Sequence, residues 1–201
     1  MTPTTPREGI REHMLLLREF VRKPFDTAAL APSSRYLALK MAASVPLHSA
    51  RNVVELGPGT GAITSAVLPA LHPKAKFLAV ELNSRFAAEW REKFPGQNLA
   101  LGNVTELGRL CAEHGMDGVD CIVSGLPWPS FSTELQRKGL REVLSVLKPG
   151  GQMATFGYHV GLAMPNGRHF LKLTEREFRK VEWVDWEWRN LPPAYILRCS
   201  R

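Results

Sequence analysis

A chain of 201 residues, 44% hydrophobic and 22% charged, has the size and balance of one soluble domain with a modest extension, which excludes two large domains. Its formal charge of +7 predicts an anionic partner, nucleic acid or acidic membrane, and composition does not choose between them. Cys111, Cys121 and Cys199 form no C-x-x-C pair and the six histidines show no H-E-x-x-H spacing, so neither a disulfide framework nor a metal centre is indicated. The polar start is no secretory signal, and no apolar run approaches the roughly 20 residues that span a bilayer. A reducing cytoplasm is the expected location.

Residues 7–24 read as a helix, and Ser33 or Ser34 as the cap of a second helix running to about Val45. Strands then alternate with helices: Val53–Leu56, a glycine turn and the helix Ala62–Leu71; Lys76–Glu81 and Ser84–Lys93; Asn98–Gly102 and Val104–His114. Val119–Ser124 is followed by the helix Glu134–Leu147, and Met153–Tyr158 gives a fifth strand. A short helix over Thr174–Arg179 and two strands, Lys180–Arg189 and Ala194–Cys199, complete the chain. This order predicts an α/β fold: a doubly wound, mostly parallel seven-stranded sheet of the Rossmann-like, class I methyltransferase type. Residues 1–46 would form an N-terminal helical extension and 47–201 the catalytic domain.

Gly57-x-Gly59-x-Gly61 follows a strand and opens a helix, where glycines let the backbone turn tightly beside a ligand. A plain sharp turn and a G-x-G-x-x-G dinucleotide loop are the alternatives. The G-x-G-x-G spacing, with Glu55 two residues earlier, favours S-adenosylmethionine, which has no pyrophosphate. Glu81 ends the second strand, one βα unit on, where a carboxylate accepts ribose hydroxyls. Leu82 would wall one face of the adenine, and Asn103 or the backbone of Val104 would meet its edge.

Ser124-Gly125-Leu126-Pro127-Trp128 leaves the fourth strand where methyl acceptors are held. The chain resembles there the adenine N6-dimethyltransferases, which carry Asn-x-Pro-aromatic, but Gly125 stands in place of the asparagine. A fuller resemblance is to the bacterial phospholipid N-methyltransferases. It lies in Ala31-Pro32-Ser33-Ser34, in Glu55 to Gly61, in Ser124 to Pro127 and in Arg189-Asn190-Leu191-Pro192-Pro193-Ala194, nearly the whole chain. That resemblance implies methylation of phosphatidylethanolamine toward phosphatidylcholine, with Ser33 and Ser34 over the cofactor and Tyr158 at the headgroup pocket. Ser124 is expected at the cofactor, and Gly125, Leu126 and Pro127 at the acceptor. Asn190-Leu191-Pro192-Pro193 resembles a catalytic N-P-P-Y box, but it falls between the last two strands and reads as a structural turn away from the acceptor loop.

On a helix, Ile10, Met14, Leu17 and Val21 form an apolar stripe, with Arg7, Arg11, Arg18 and Arg22 along one flank. Such a helix suits the inner membrane surface, arginines on phosphates and the stripe at the acyl boundary. A helix packed on the domain with solvated arginines is the alternative. Trp186 and Trp188 would share one strand face and Trp183 the other. Tyr158, His159 or water would take the amine proton, Tyr158 first, and Trp128 or Tyr158 would favour the ammonium by cation–π contact. The phospholipid at an anionic membrane is the expected substrate, with no nucleic acid and no metal. The rivals are an RNA adenine methyltransferase and a non-enzymatic lipid- or RNA-binding module.

Overall fold

The computed structural model describes residues 30–190 and 192–201. The expected membrane helix over 7–24, with Arg7, Arg11, Met14, Leu17, Arg18, Val21 and Arg22, lies outside the described residues.

The chain alternates as its hydrophobic periodicity requires: α1 (Leu30–Ala43), β1 (Asn52–Leu56), α2 (Thr64–Val67), β2 (Lys76–Glu81), α3 (Ser84–Lys93) and β3 (Asn98–Leu101). There follow α4 (Leu107–Glu113), β4 (Val119–Ser124), α5 (Thr133–Val146), β5 (Leu147–Tyr158), α6 (Pro165–Glu177), β6 (Lys180–Glu187) and β7 (Ala194–Ser200). The seven strands form one sheet in the order β3-β2-β1-β4-β5-β7-β6, with β7 alone running against the rest. β1, β2 and β4 are short apolar runs buried on both faces, as central parallel strands must be.

Alternate strand residues serve two cores. Val54, Leu56, Leu78, Val80 and Ile122 pack against Leu107 of α4, Leu140 of α5 and Phe170 of α6. Val53, Phe77, Ala79 and Cys121 face the other way, against Met41 of α1, Val67 of α2 and Trp90 of α3. α1 is thus built into the second core.

Strand order reverses between β1 and β4, so the chain leaves these neighbours in opposite directions and opens a crevice at their carboxyl ends. The register places Leu56 beside Val80 and Ser124, Glu81 beside Leu101, and Tyr158 beside Ala194. All the expected motif residues of these strands therefore reach one end of the sheet.

Several local expectations are corrected. α1 already runs from Leu30, so Ser33 and Ser34 lie within it and neither caps it. The α-helix after the glycine loop is one turn, continued by a 3₁₀ turn over Leu68–Ala70, whose Pro69 has no N–H to donate. α6 is 13 residues long where only its last turn was expected. Pro165 sits in the first turn, where an N–H is spare, and Gly167 is required because a Cβ would collide with the Gly161 carbonyl. On β6 the register shifts between Trp183 and Asp185. That bulge brings Trp183 onto the same face as Trp186 and Trp188, contrary to a strict period of two. The three indoles stack in sequence, with centroids 6.0 and 5.4 Å apart and planes within 16° of parallel.

Candidate active site

Gly57, Gly59 and Gly61 all have positive φ, which L side chains rarely adopt. Gly59 is the open one: at φ +55° no atom lies within 4 Å of where its Cβ would stand. Its N–H donates to the Glu81 carboxylate at 3.1 Å, and that carboxylate also accepts from the Asn83 N–H at 2.8 Å. Glu81 is 5% exposed, and burial holds its pKa above the usual carboxylate range against these donors. It thus sits at the strand end facing the loop, able to exchange a loop N–H for a hydroxyl donor.

Glu55 lies beneath the loop and is completely buried. Neither of its oxygens has a hydrogen bond of ordinary geometry. Thr64, whose hydroxyl accepts from the Trp90 indole at 2.8 Å, approaches closely enough to favour the charged form only weakly. Desolvation dominates and pushes the carboxyl pKa up to about 8. A carboxyl group so poorly compensated keeps its proton near neutral pH in the free protein, and a cation placed beside it would favour its ionised form.

Leu82, the residue after Glu81, is 40% exposed. The Asn103 side-chain oxygen is already engaged, accepting from the Thr105 N–H at 3.0 Å and hydroxyl at 3.1 Å. Val104 turns its side chain into the core.

The loop after β4 is decided by close approach. A Cβ at Gly125 would stand 2.7 Å from the Gly57 carbonyl oxygen, while the Gly125 N–H donates to the Leu56 carbonyl at 2.7 Å. The asparagine of adenine N6-dimethyltransferases has no room here. Leu126 is half-buried, and its Cδ2 lies 2.7 Å from the position a Gly57 Cβ would take, so the two loops lock together. The Ser124 hydroxyl is buried and accepts from the Leu126 N–H at 3.4 Å and the Trp128 indole at 3.0 Å.

Trp128 is not at the acceptor. It is fully buried, stacked on Phe170 at 5.2 Å and edge-on to Phe131 at 5.6 Å. Pro127 turns the chain inward, so the indole fills the core between β4 and α6 and offers no face to a cation.

Tyr158 remains at the crevice, half-buried at the end of β5 and edge-on to Phe156 at 5.7 Å. Burial raises its phenol pKa, and a hydrogen bond from Asn190 opposes the rise. Such a phenol stays protonated near neutral pH. Its oxygen lone pair is available to orient an amine. His159 is exposed, and its backbone N–H donates to the Pro193 carbonyl at 2.9 Å.

Asn190 is the residue that sequence reasoning misplaced. It does form a turn, donating from Nδ2 to the Pro192 carbonyl at 3.0 Å. That turn is nevertheless at the site, because β7 runs antiparallel and begins where β5 ends. The turn is held to α1: Glu187, 1% exposed, accepts from the Arg189 guanidinium at 2.9 Å and pairs with Lys40 at 3.3 Å. These cations, Arg189 first, pull its pKa down to about 2. The Arg189 guanidinium also stacks 3.7 Å over the Tyr36 ring. Among the described residues no cluster of side chains is arranged to hold a metal ion.

Residues 53–151 match the family described as "Methyltransferase domain". A relative 36% identical over 193 residues, covering 94% of this chain and 96% of its own, is the ornithine lipid N-methyltransferase of Singulisphaera acidiphila. The chain belongs to the bacterial lipid N-methyltransferases of the class I, S-adenosylmethionine-dependent type. A second relative, the ribosomal RNA small subunit methyltransferase A of Prosthecochloris aestuarii, is 37% identical over 68 residues only, 34% of this chain and 25% of that one. In fold, this lipid N-methyltransferase family member is similar to the O-methyltransferase TomG of Streptomyces achromogenes. The TM-score is 0.63 at 14% identity, over all of this chain and 92% of that one. The O-methyltransferase of Bacillus cereus gives 0.62 at 12% identity, covering 100% and 93%. The cofactor of this enzyme is S-adenosylmethionine. The residues present suit it: a buried, poorly compensated carboxyl group beneath the loop, an open glycine and a strand-end acid that meets the loop. No helix among the described residues is long and apolar enough to cross a membrane.

Proposed function

We propose that this enzyme methylates the head-group amine of a membrane lipid, phosphatidylethanolamine and its mono- and dimethyl forms in the first reading. The observation that carries it is Gly125, whose contact with Gly57 excludes the amide that grips adenine, in a chain related end to end to a lipid N-methyltransferase. A second reading takes the substrate from that relative's name, an ornithine lipid. Both lipids present an amine on a membrane-held headgroup.

In this reading Gly57, Gly59 and Gly61 cradle S-adenosylmethionine, Glu81 takes the ribose and Leu82 lies against the adenine, with Asn103 and Val104 at the adenine edge. Glu55 gives its charge to the cationic end, Ser124 supports the loop, and Ser33 and Ser34 lie on the covering helix. The bound cofactor supplies an electrophilic methyl on a sulfonium. The protein's part is to hold the amine in line, exclude water and keep the nitrogen lone pair free. Gly125, Leu126 and Pro127 border the acceptor, and Tyr158, held by Asn190, accepts a hydrogen bond from the amine. The amine proton leaves to water or His159.

Purified protein with labelled S-adenosylmethionine and vesicles of either lipid, or RNA, tests this. Label in a lipid amine supports the proposal and names the lipid. Label in RNA alone overturns it, and label nowhere favours a binding module.

A further inference from the structure

Eight large hydrophobic side chains stay exposed among the described residues: Tyr36, Leu39, Leu82, Leu101, Met164, Trp183, Val184 and Trp188. Leu82 belongs to the cofactor crevice. Five of the others flank the β6 edge from its two sides: Trp183 and Trp188 on the α6 side over Tyr195, Tyr36 and Leu39 on α1, which Lys40 fastens to β6 from the opposite side, and Val184 in the bulge. β6 is the outer strand of the sheet, and Trp188, at 71%, is the most exposed of the eight. The bulge at Val184 assembles the ladder Trp183-Trp186-Trp188, footed on Tyr195, whose ring centroid lies 4.9 Å from Trp183 and 5.8 Å from Trp186. Two indoles left open to water on an edge strand are a costly arrangement unless something covers them.

The charges around the ladder select the cover. Every acid of β6 is neutralised from within: Glu182 by Lys180 and Arg198, Asp185 by Lys40, Glu187 by Lys40 and Arg189. On α6 the exposed Arg168 and Lys172, and Arg179 just beyond it, stand in no ion pair among the described residues, against the single unpaired acid Glu175. His169 bonds Gln136 of α5 at 2.7 Å, which turns that flank of α6 toward α5; the opposite flank carries Arg168, Leu171 and Glu175, with Lys172 on the outer face. Indoles that are apolar with one N–H, beside unpaired cations and silenced acids, match the headgroup layer of an anionic bilayer.

We infer that the β6 edge, led by Trp183 and Trp188, is a membrane-docking surface that sets the mouth of the site against the headgroups of an anionic bilayer. Trp188 lies two residues before Asn190, so the ladder ends at the turn that touches Tyr158. The inference rests on the lipid-amine reading for its purpose but not for its test.

The full chain is mixed with phosphatidylglycerol vesicles whose acyl chains carry bromine, and tryptophan emission is followed. Bromine is expected to quench the wild type. The W183S/W188S variant should lose most of that quenching, since Trp90 and Trp128 are wholly buried and the remaining ladder member, Trp186, is half-buried, and it should bind vesicles about tenfold or more weaker. It should keep wild-type cofactor affinity and wild-type turnover of a water-soluble, short-chain lipid amine. Absence of quenching in the wild type, or equal vesicle affinity in the variant, overturns the inference. So does a dimer in solution that the variant dissociates, because the ladder would then face a second copy. Docking without methylation of any lipid amine would keep the surface and defeat the lipid reading. Methylation with the variant docking as well as the wild type would do the reverse.

Discussion

Glu55 is costly to keep in the free protein. Its folded pKa, near 8, stands above the ordinary value of 4.5, so between those two pH values the folded state holds a proton that the unfolded state has lost. Stability therefore falls as pH rises through this window. E55Q, which cannot ionise, is expected to have a higher Tm than wild type at pH 8 and the same Tm at pH 4. It should also bind S-adenosylmethionine about tenfold or more weaker by calorimetry, since the charge meant for the ligand is gone. An unchanged affinity would show that Glu55 is structural only. Tyr158 poses the complementary question, because burial keeps its hydroxyl protonated. Y158F is expected to lower kcat by about 10- to 100-fold through lost positioning while leaving the pH profile of the rate in place. A profile displaced by that substitution would instead make the hydroxyl the proton acceptor.

At the scale of elements, two contacts define the site. The loops after β1 and β4 touch through Gly125 and Gly57, so G125N is expected to push the cofactor loop aside and abolish cofactor binding without creating RNA methylation. Filter binding and an RNA labelling assay check both halves. The other contact is the clamp of α1 on the β6–β7 turn. E187Q removes the buried charge that Arg189 and Lys40 share, Lys40 keeping only Asp185 as its ion-pair partner, and should cost about 1–3 kcal/mol, read as a lower urea midpoint. Because the Glu187 pKa is depressed to about 2, the wild-type advantage is full above 4.5 and disappears as pH falls through 2.

For the whole molecule, a lipid substrate demands that a protein without a spanning helix among its described residues come to the bilayer. The four arginines of residues 7–24 would contribute about 1 kcal/mol each at an acidic surface. Deleting residues 1–24 is therefore expected to lower affinity for anionic vesicles by about a hundredfold or more, measured by sedimentation. Undiminished binding would remove this segment from the membrane contact.

Sequence alone determined the βα alternation, the glycine loop and the acids at the ends of β1 and β2, because each is a local matter. Strand and helix periods are read within a dozen residues, and positive φ is written in the glycines themselves. It likewise marked Gly125 as a departure from the adenine enzymes, though not the reason. The tertiary structure decided everything that turns on a contact between distant segments. Trp128 reads as an exposed loop aromatic, but Phe170, on a helix mostly hidden behind Pro165 and Gly167, draws it into the core. Trp183 reads as facing away from Trp186, until a bulge set by pairing with β7 reverses it. Asn190 reads as remote, until the antiparallel course of β7 returns its turn to Tyr158. Packing and strand direction are properties of the assembled sheet, and no window of neighbouring residues contains them.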